Sequence, residues 1–313
     1  MLFLDANEGP PPPRAWLDQV MAKAEVHRYP AYQGLQAAVA ERHALPVEQV
    51  MVTAGGDEGI DRVVRSSSGL HMPRPTFGMF PIYCAAHGRP LSFVEWGDWE
   101  GLFERRPPGV DWLAVVAPNN PTGASLSLRE LEDMQSRLPE DVHLLLDQVY
   151  AEFDDEPLTE LALEHPRFVV VRSLSKSFGL AGLRVGYLLG QAELLARVGA
   201  HSSPYSIASF SAHVATQMLK APPAEVGAYW ALVRETRPRL ESALTRLGLL
   251  VPSSRANFCF ASEAGAPLFE RLEAAQIRVR RFRGDAAHEA KGLRITCPSA
   301  PADVDRLLEA LKP

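Results

Sequence analysis

Five short runs of almost unbroken apolar residues limit the folds open to this chain more than any other feature. They are Gln49-Val-Met-Val-Thr-Ala54, Trp112-Leu-Ala-Val-Val-Ala117, His143-Leu-Leu-Leu-Asp147, Phe168-Val-Val-Val-Arg172 and Val185-Gly-Tyr-Leu-Leu189. A strand with one wet face alternates apolar and polar residues, whereas one that is apolar throughout is covered on both sides. Helical patterns recur around the runs. Gly34–Arg42 has Leu35, Ala38 and Val39, a second pattern runs from Glu58 to about Arg65, and Ser127–Arg137 opens with Ser127 and Glu130 in capping-box spacing. Covered strands alternating with helices indicate an α/β fold with a largely parallel sheet between helical layers.

Both ends of the chain read differently. Residues 10–13 are all proline, which excludes a helix interior and predicts an extended segment before a helix over Arg14–Ala24. Composition shifts at Lys220-Ala-Pro-Pro223. A long helix is expected over Val226–Leu247, then a strand (Phe258–Ser262), a helix (Pro267–Ala275), strands Ile277–Phe282 and Leu293–Cys297, and a last helix Asp303–Leu311. That order describes a small α+β unit, and 313 residues leave room for two domains.

Bulk chemistry excludes several function classes. A formal net charge of −6 gives no footprint for nucleic acid, and the cluster Arg278, Arg280, Arg281 and Arg283 is local. Cys84, Cys259 and Cys297 are odd in number, widely spaced and without a C-x-x-C pattern, which argues against a disulfide framework or a zinc site and fits a reducing cytoplasm. The N-terminus lacks a basic n-region, and no apolar run reaches membrane-spanning length, so a soluble intracellular protein is expected. Ala54-Gly-Gly-Asp-Glu-Gly59 lacks the G-x-G-x-x-G spacing of a nicotinamide-binding turn.

The segment Ser173-Leu-Ser-Lys-Ser-Phe-Gly-Leu-Ala-Gly-Leu-Arg184 points to a site. Its lysine, Lys176, lies between two hydroxyls, with an arginine eight residues on. Such a set suits a cofactor carrying both an aldehyde and a phosphate, as pyridoxal 5'-phosphate (PLP) does. The lysine can form a Schiff base while Ser173, Ser175 and Arg184 hold the phosphate dianion. Taken alone, the segment is equally a surface lysine in a Ser/Gly-rich turn.

Ligands of open parallel sheets sit at the carboxyl ends of the strands, where the other candidates fall. Gly55 and Gly56 let the backbone approach an anion at a helix N-terminus, although a tight turn with Asp57 as its cap explains them as well. Asn120, in Pro118-Asn-Asn-Pro-Thr-Gly123, can donate its amide to a phenolate oxygen, and Tyr150 can reach the same edge. Asp147 ends an apolar run, where a carboxylate needs a partner; a protonated pyridine nitrogen is one, and a helix cap is another. Phe77 can stack on a ring or simply fill the core. Arg294, among apolar neighbours, calls for an anion, a ligand or a structural salt bridge alike, and Arg280 can converge with it.

Together these residues resemble the fold-type I PLP enzymes, specifically the class I/II aminotransferases and, within them, the histidinol-phosphate aminotransferase family. The likeness runs nearly end to end, through Leu4-Asp-Ala-Asn-Glu8, His27-Arg-Tyr-Pro30, Ala54-Gly-Gly-Asp-Glu58, Pro75-Thr-Phe-Gly-Met-Phe80, Pro118-Asn-Asn-Pro-Thr-Gly123, Asp147-Gln-Val-Tyr150, the lysine motif and Leu293-Arg-Ile-Thr296. It implies a fold-type I PLP-dependent transferase of the α/β class. A large PLP-binding domain with a mostly parallel central sheet would span residues 28–222, and a small α+β domain would combine 1–27 with 223–313. Lys176 would form the Schiff base and shuttle the proton, Asp147 would pair the pyridinium nitrogen, and Asn120 and Tyr150 the phenolate oxygen. Gly55, Gly56, Asp57, Ser173, Ser175 and Arg184 would hold the phosphate, with Phe77 stacked on the ring. Tyr29 would reach the cofactor of a neighbouring subunit, making a homodimer. Arg294, Arg280 and Asn7 would bind the substrates, a small-molecule amino donor and a 2-oxo acid, with no nucleic-acid or membrane partner.

Four departures from the family pattern stand out. Phe77 replaces a tyrosine, Gln148 replaces a glutamate, Gly9 replaces a substrate-contacting tyrosine of some members, and Ser66–Met72 is shorter than the usual loop. The resemblance favours the exchange of histidinol phosphate and 2-oxoglutarate for imidazole acetol phosphate and glutamate. An aromatic amino-acid aminotransferase, a threonine-phosphate decarboxylase and a catalytically silent PLP-fold binding protein are the alternatives.

Overall fold

The computed structural model describes residues 1–200, 202–263, 265–286 and 288–312. Among these residues, eleven strands form two sheets. The strands are β1 Leu2–Leu4, β2 Val50–Thr53, β3 Leu70–Arg74, β4 Leu91–Glu95, β5 Trp112–Val116, β6 His143–Asp147, β7 Phe168–Ser173, β8 Gly186–Gly190, β9 Phe258–Ser262, β10 Ile277–Arg283 and β11 Lys291–Thr296.

Seven strands make the larger sheet in the order β2-β8-β7-β6-β5-β3-β4. The neighbours from β7 through β4 are parallel, and β8 runs antiparallel to both β2 and β7. A parallel return needs a crossover, usually through a helix. Between β7 and β8 the chain forms only the lysine-bearing loop and a 3-10 turn over Ala181–Leu183, so β8 comes straight back.

The apolar runs are covered as their composition requires. In β5, Leu113 and Val115 join the core on one face, while Trp112, Ala114 and Val116 join the core on the other. A separate core underlies the four-stranded sheet, ordered β1-β10-β11-β9, in which the N-terminal β1 pairs parallel to β10.

Several expected elements shift. The helix anticipated from Glu58 begins at Gly55 and runs to Ser66, with Ala54 as its cap residue; Asp57 lies in the first turn and is not the cap. The first helix ends at Met21 rather than Ala24. Ser127 and Glu130 form the anticipated capping box on the helix Leu128–Arg137. The short segment after Ser66 leads directly into β3. The long C-terminal helix spans Ala224–Arg246. Among the described residues, no helix is long and apolar enough to cross a membrane.

Candidate active site

A cavity of about 680 Å³ opens where the strand ends of the large sheet meet β10, β11 and the N-terminal segment. Its floor comes from the large sheet. Asp147 is the last residue of β6 and Ser173 the last of β7, and Asn120 follows β5, so all three emerge on the carboxyl side.

At one end of the cavity lies the start of the helix Gly55–Ser66, whose first backbone N–H groups have no intrahelical acceptor. Gly55 has φ +79°, and a Cβ there would lie 2.7 Å from Arg184 Nη2. Glycine thus lets the guanidinium close on the helix start. Arg184, itself left-handed at φ 51°, donates to Asp57 Oδ2 at 2.9 Å and to Ser175 Oγ at 3.3 Å. Ser173 Oγ accepts the Ser175 N–H at 3.1 Å. Ser173, Ser175, Asp57 and Arg184 therefore form one polar cradle at the helix terminus.

Lys176 is partly buried, and its Nζ donates to the Ala6 carbonyl at 2.9 Å. Burial, reinforced by the charge of Arg294, pushes its pKa down to about 8. Asp147 is 2% exposed and accepts one N–H, from Val149 at 3.1 Å. Burial drives its carboxyl up to about 7 against that single hydrogen bond, and the nearby charge of Asp57 adds to the rise. Among the described residues no basic side chain forms an ion pair with it.

The opposite wall is cationic. Arg280 and Arg294 are register partners across β10 and β11, and both line the cavity. Arg294 donates to Asn120 Oδ1 at 2.6 Å and to the Asp5 carbonyl at 2.8 Å, and lies over the rings of Phe258 and Phe282 at 5.4 and 5.6 Å. Burial lowers its pKa; Tyr150 opposes this and Arg280 adds to it. With Oδ1 of Asn120 engaged by Arg294, the NH₂ of Asn120 can serve a ligand as a donor.

Asn7 is the best-anchored residue of the site. It adopts φ 55°, donates through Nδ2 to the Tyr150 hydroxyl at 2.9 Å, accepts from Thr296 Oγ1 at 2.9 Å, and its carbonyl takes Asn257 Nδ2 at 3.2 Å. Tyr150, edge-on to Phe258 at 5.2 Å, is buried, and that burial raises its pKa.

The structure thus gathers Asn7, Gly56, Asp57, Phe77, Asn120, Asp147, Tyr150, Ser173, Ser175, Lys176, Arg184, Arg280 and Arg294 around one cavity, with Gly55 directly behind Arg184. Tyr29 stands apart: it is 80% exposed and stacks on Tyr205 at 4.7 Å. Gly9 packs on the lysine loop, where a Cβ would meet the Lys176 carbonyl at 2.7 Å. Gln148 is fully committed, donating to the Ala117 carbonyl at 2.8 Å and accepting from Thr159 at 2.6 Å. Reading the sequence missed the Asp5 and Ala6 carbonyls, Thr296, Asn257, and the roof formed by His288 and Glu289. The first four are tied to Arg294, Lys176 and Asn7 by the hydrogen bonds above, and the roof is tied by the Thr76 N–H to the His288 carbonyl at 3.0 Å.

Fold and cavity define an α/β enzyme that combines an amine of lowered basicity, a buried carboxyl group and two anion-seeking ends. Family comparison makes this specific: the pattern of class I and II aminotransferases matches residues 2–311, and the chain belongs to that family. It is 34% identical to histidinol-phosphate aminotransferase 2 of Thiobacillus denitrificans, over 100% of this chain and 91% of that protein. Its fold matches the histidinol-phosphate aminotransferase of Clostridium acetobutylicum with a TM-score of 0.87 at 21% identity, covering 99% and 98% of the two chains. The enzyme of that name from Sinorhizobium meliloti, solved with pyridoxal-5'-phosphate, matches with a TM-score of 0.85 at 21% identity, over 99% and 89%. The architecture is that of the fold-type I transferases, a large, mostly parallel sheet beside a smaller mixed one.

Proposed function

We propose that this aminotransferase uses PLP and takes histidinol phosphate as amino donor and 2-oxoglutarate as acceptor. The observation that carries the substrate reading is the side-by-side placement of Arg280 and Arg294 on the cavity wall, with no carboxylate bridging them among the described residues. Two adjacent guanidiniums suit a dianionic phosphate, or the second carboxylate of a dicarboxylic acid, better than an uncharged aromatic side chain. Arg280 lines the cavity and is also solvent-exposed along β10, so its charge is available to an anionic ligand.

The residues present fit the cofactor. The helix-terminal cradle of Ser173, Ser175 and Arg184, kept open by Gly55, has the chemistry of a phosphate site. Asp147, buried without a cation, has a use for a protonated ring nitrogen, and that pairing would hold it ionised at neutral pH. Asn120 and Tyr150 would hold the phenolate edge, and Phe77 one face. PLP, when bound, supplies the aldehyde and the electron sink. Lys176 does the proton work: with a pKa near 8, its Nζ is unprotonated often enough at neutral pH to take the proton from the donor's α-carbon. Asn7 orients the Tyr150 hydroxyl, and Arg294 fixes the anionic end of the donor.

A homodimer is part of this reading. The stacked pair Tyr29 and Tyr205, exposed by 80% and 53%, suits an interface, from which Tyr29 would reach the partner's cavity. Three buried free cysteines accord with a reducing cytoplasm.

The test is a single-turnover titration of PLP-loaded protein, following the cofactor's visible absorbance. Histidinol phosphate should discharge the band stoichiometrically, at far lower concentration than phenylalanine. Preference for phenylalanine, or carbon dioxide release from threonine phosphate, overturns the substrate reading; the absence of any band overturns the cofactor reading.

A further inference from the structure

Behind the cavity floor, a line of buried polar side chains joins three loops that the sequence keeps apart. It begins at Ser177, the neighbour of Lys176, whose hydroxyl donates to Glu152 Oε2 at 2.9 Å. The other oxygen of Glu152 accepts from Arg172 Nη2 and, at 3.4 Å, from Arg42 Nη2. Arg172 Nη1 donates to Thr159 Oγ1 at 2.7 Å, Thr159 donates to Gln148 Oε1 at 2.6 Å, and the Gln148 amide donates to the Ala117 carbonyl at 2.8 Å. Gln148 directly follows Asp147, and Ala117 lies three residues before Asn120.

The polarity of the line is fixed throughout. An arginine can only donate, so the Thr159 hydroxyl accepts from it and donates its own O–H to Gln148 Oε1, which turns the Gln148 NH₂ toward Ala117. Ser177, Glu152, Arg172, Thr159 and Gln148 are all at least nine-tenths buried, and none of them lines the cavity. Burial alone would raise the pKa of Glu152, but Arg172, Arg42 and Ser177 hold it below the usual carboxylate range. From the far side, Trp230 Nε1 ties the Ser177 carbonyl at 2.8 Å. Apolar residues could fill this volume with equal or greater stability, so stability alone does not explain an ionic line here.

We propose that Glu152, Arg172, Thr159 and Ser177 are positioning residues: they lock the loop of Lys176 to the strand ends that carry Asp147 and Asn120, and so fix the spacing of amine, carboxylate and amide around the cofactor. The inference rests on the PLP reading of those three residues. It assigns to the line the geometry of the site and not its chemistry, because no member reaches the reacting atoms.

The experiment uses the full chain, PLP-loaded and reconstituted from apoprotein. It compares Ser177→Ala and Thr159→Val with Ser67→Ala, a control that removes a buried hydroxyl bonded to the Val64 carbonyl at 2.8 Å and away from the cavity. PLP dissociation constant, the pH midpoint of the visible band and Tm are measured for each. Ser177→Ala and Thr159→Val should weaken PLP binding about 5- to 10-fold, the scale of one lost buried hydrogen bond, and displace the midpoint by about half a unit. Ser67→Ala should change Tm alone. If the two line variants lower Tm but keep the wild-type dissociation constant and midpoint, the line is only structural and the inference fails while the PLP reading stands. A wild-type protein without a visible band overturns both. Should Thr159→Val not fold, Ser177→Ala decides.

Discussion

On the side of the seven-stranded sheet, the cavity is built from the ends of β5, β6 and β7, paired in register and buried on both faces; on the side of the four-stranded sheet, it is built from two arginines on one hairpin and an N-terminal segment laid across them. Among the described residues, the Asp147 carboxyl of the first wall has no ion-pair partner, and neither Arg280 nor Arg294 of the second is ion-paired, although Asp5 and Glu289 also line the cavity. Each lacks what a ligand would bring. The floor suits a cofactor whose ring must stay in one place, because its side chains leave strands that cannot slide without unpairing a sheet. The arginine wall suits an anionic part of a substrate; within it Arg294 also holds Asn120 Oδ1 of the floor, whereas Arg280 has no such tie among the described residues.

The comparison can be broken most forcefully at the floor. Lys176→Ala should lower turnover by about 10⁴-fold, the scale of losing a general base and nucleophile together, with thermal stability retained; steady-state rates and a melting curve check both halves. Asp147→Asn should lower kcat about 10²- to 10³-fold, as expected when an electrostatic partner of the reacting system is removed.

Asp147 also makes a pH prediction for the apoprotein. Its carboxyl is raised from 3.8 to about 7, so between these values the folded state binds more protons than the unfolded chain. The contribution of Asp147 to stability is therefore present at low pH and lost as pH rises toward 7, by a few kcal/mol in all. Denaturant unfolding across pH 4–8 should show this falling component in wild type and not in Asp147→Asn. Equal slopes would show that the carboxyl is not raised.

On the other wall, Arg294→Ala should cost about 10²-fold in kcat/KM for every substrate, because Asn120 and the Asp5 carbonyl lose their donor together with the anion site. PLP affinity should change far less. The smallest effect is expected at Gly55→Ala, about 1–2 kcal/mol of stability from a side chain at positive φ. Because the new methyl would also press on Arg184, phosphate-dependent cofactor binding should weaken in parallel.

Legibility in the sequence follows the same division. β5, β6 and β7 could be read because strands buried on both faces are apolar without interruption. β3, Leu70-His-Met-Pro-Arg74, could not, since His71 and Pro73 break the run; nor could β4, an edge strand of mixed character. The direction of β8 was hidden as well, because an apolar run carries no sign and the lysine loop sets it. Within the site, Lys176, Asp147 and Asn120 announced themselves by position after strands. Asn7 could be placed only by resemblance, because its anchors Thr296 and Asn257 lie at the opposite end of the chain. In the sequence Gln148 is visible only as a replacement for glutamate; the structure gives it both a donor and an acceptor task, and a carboxylate could not fill the first.

The central claim is that one wall holds the cofactor and the other chooses the substrate. Its most direct test is the ratio of kcat/KM for histidinol phosphate to that for phenylalanine, measured in wild type and in Arg280→Ala with PLP saturating. The account predicts that wild type favours histidinol phosphate and that Arg280→Ala lowers this ratio at least about 10-fold, the scale of one charge-assisted contact, with phenylalanine turnover nearly unchanged. An equal loss for both substrates, or none for either, would contradict it.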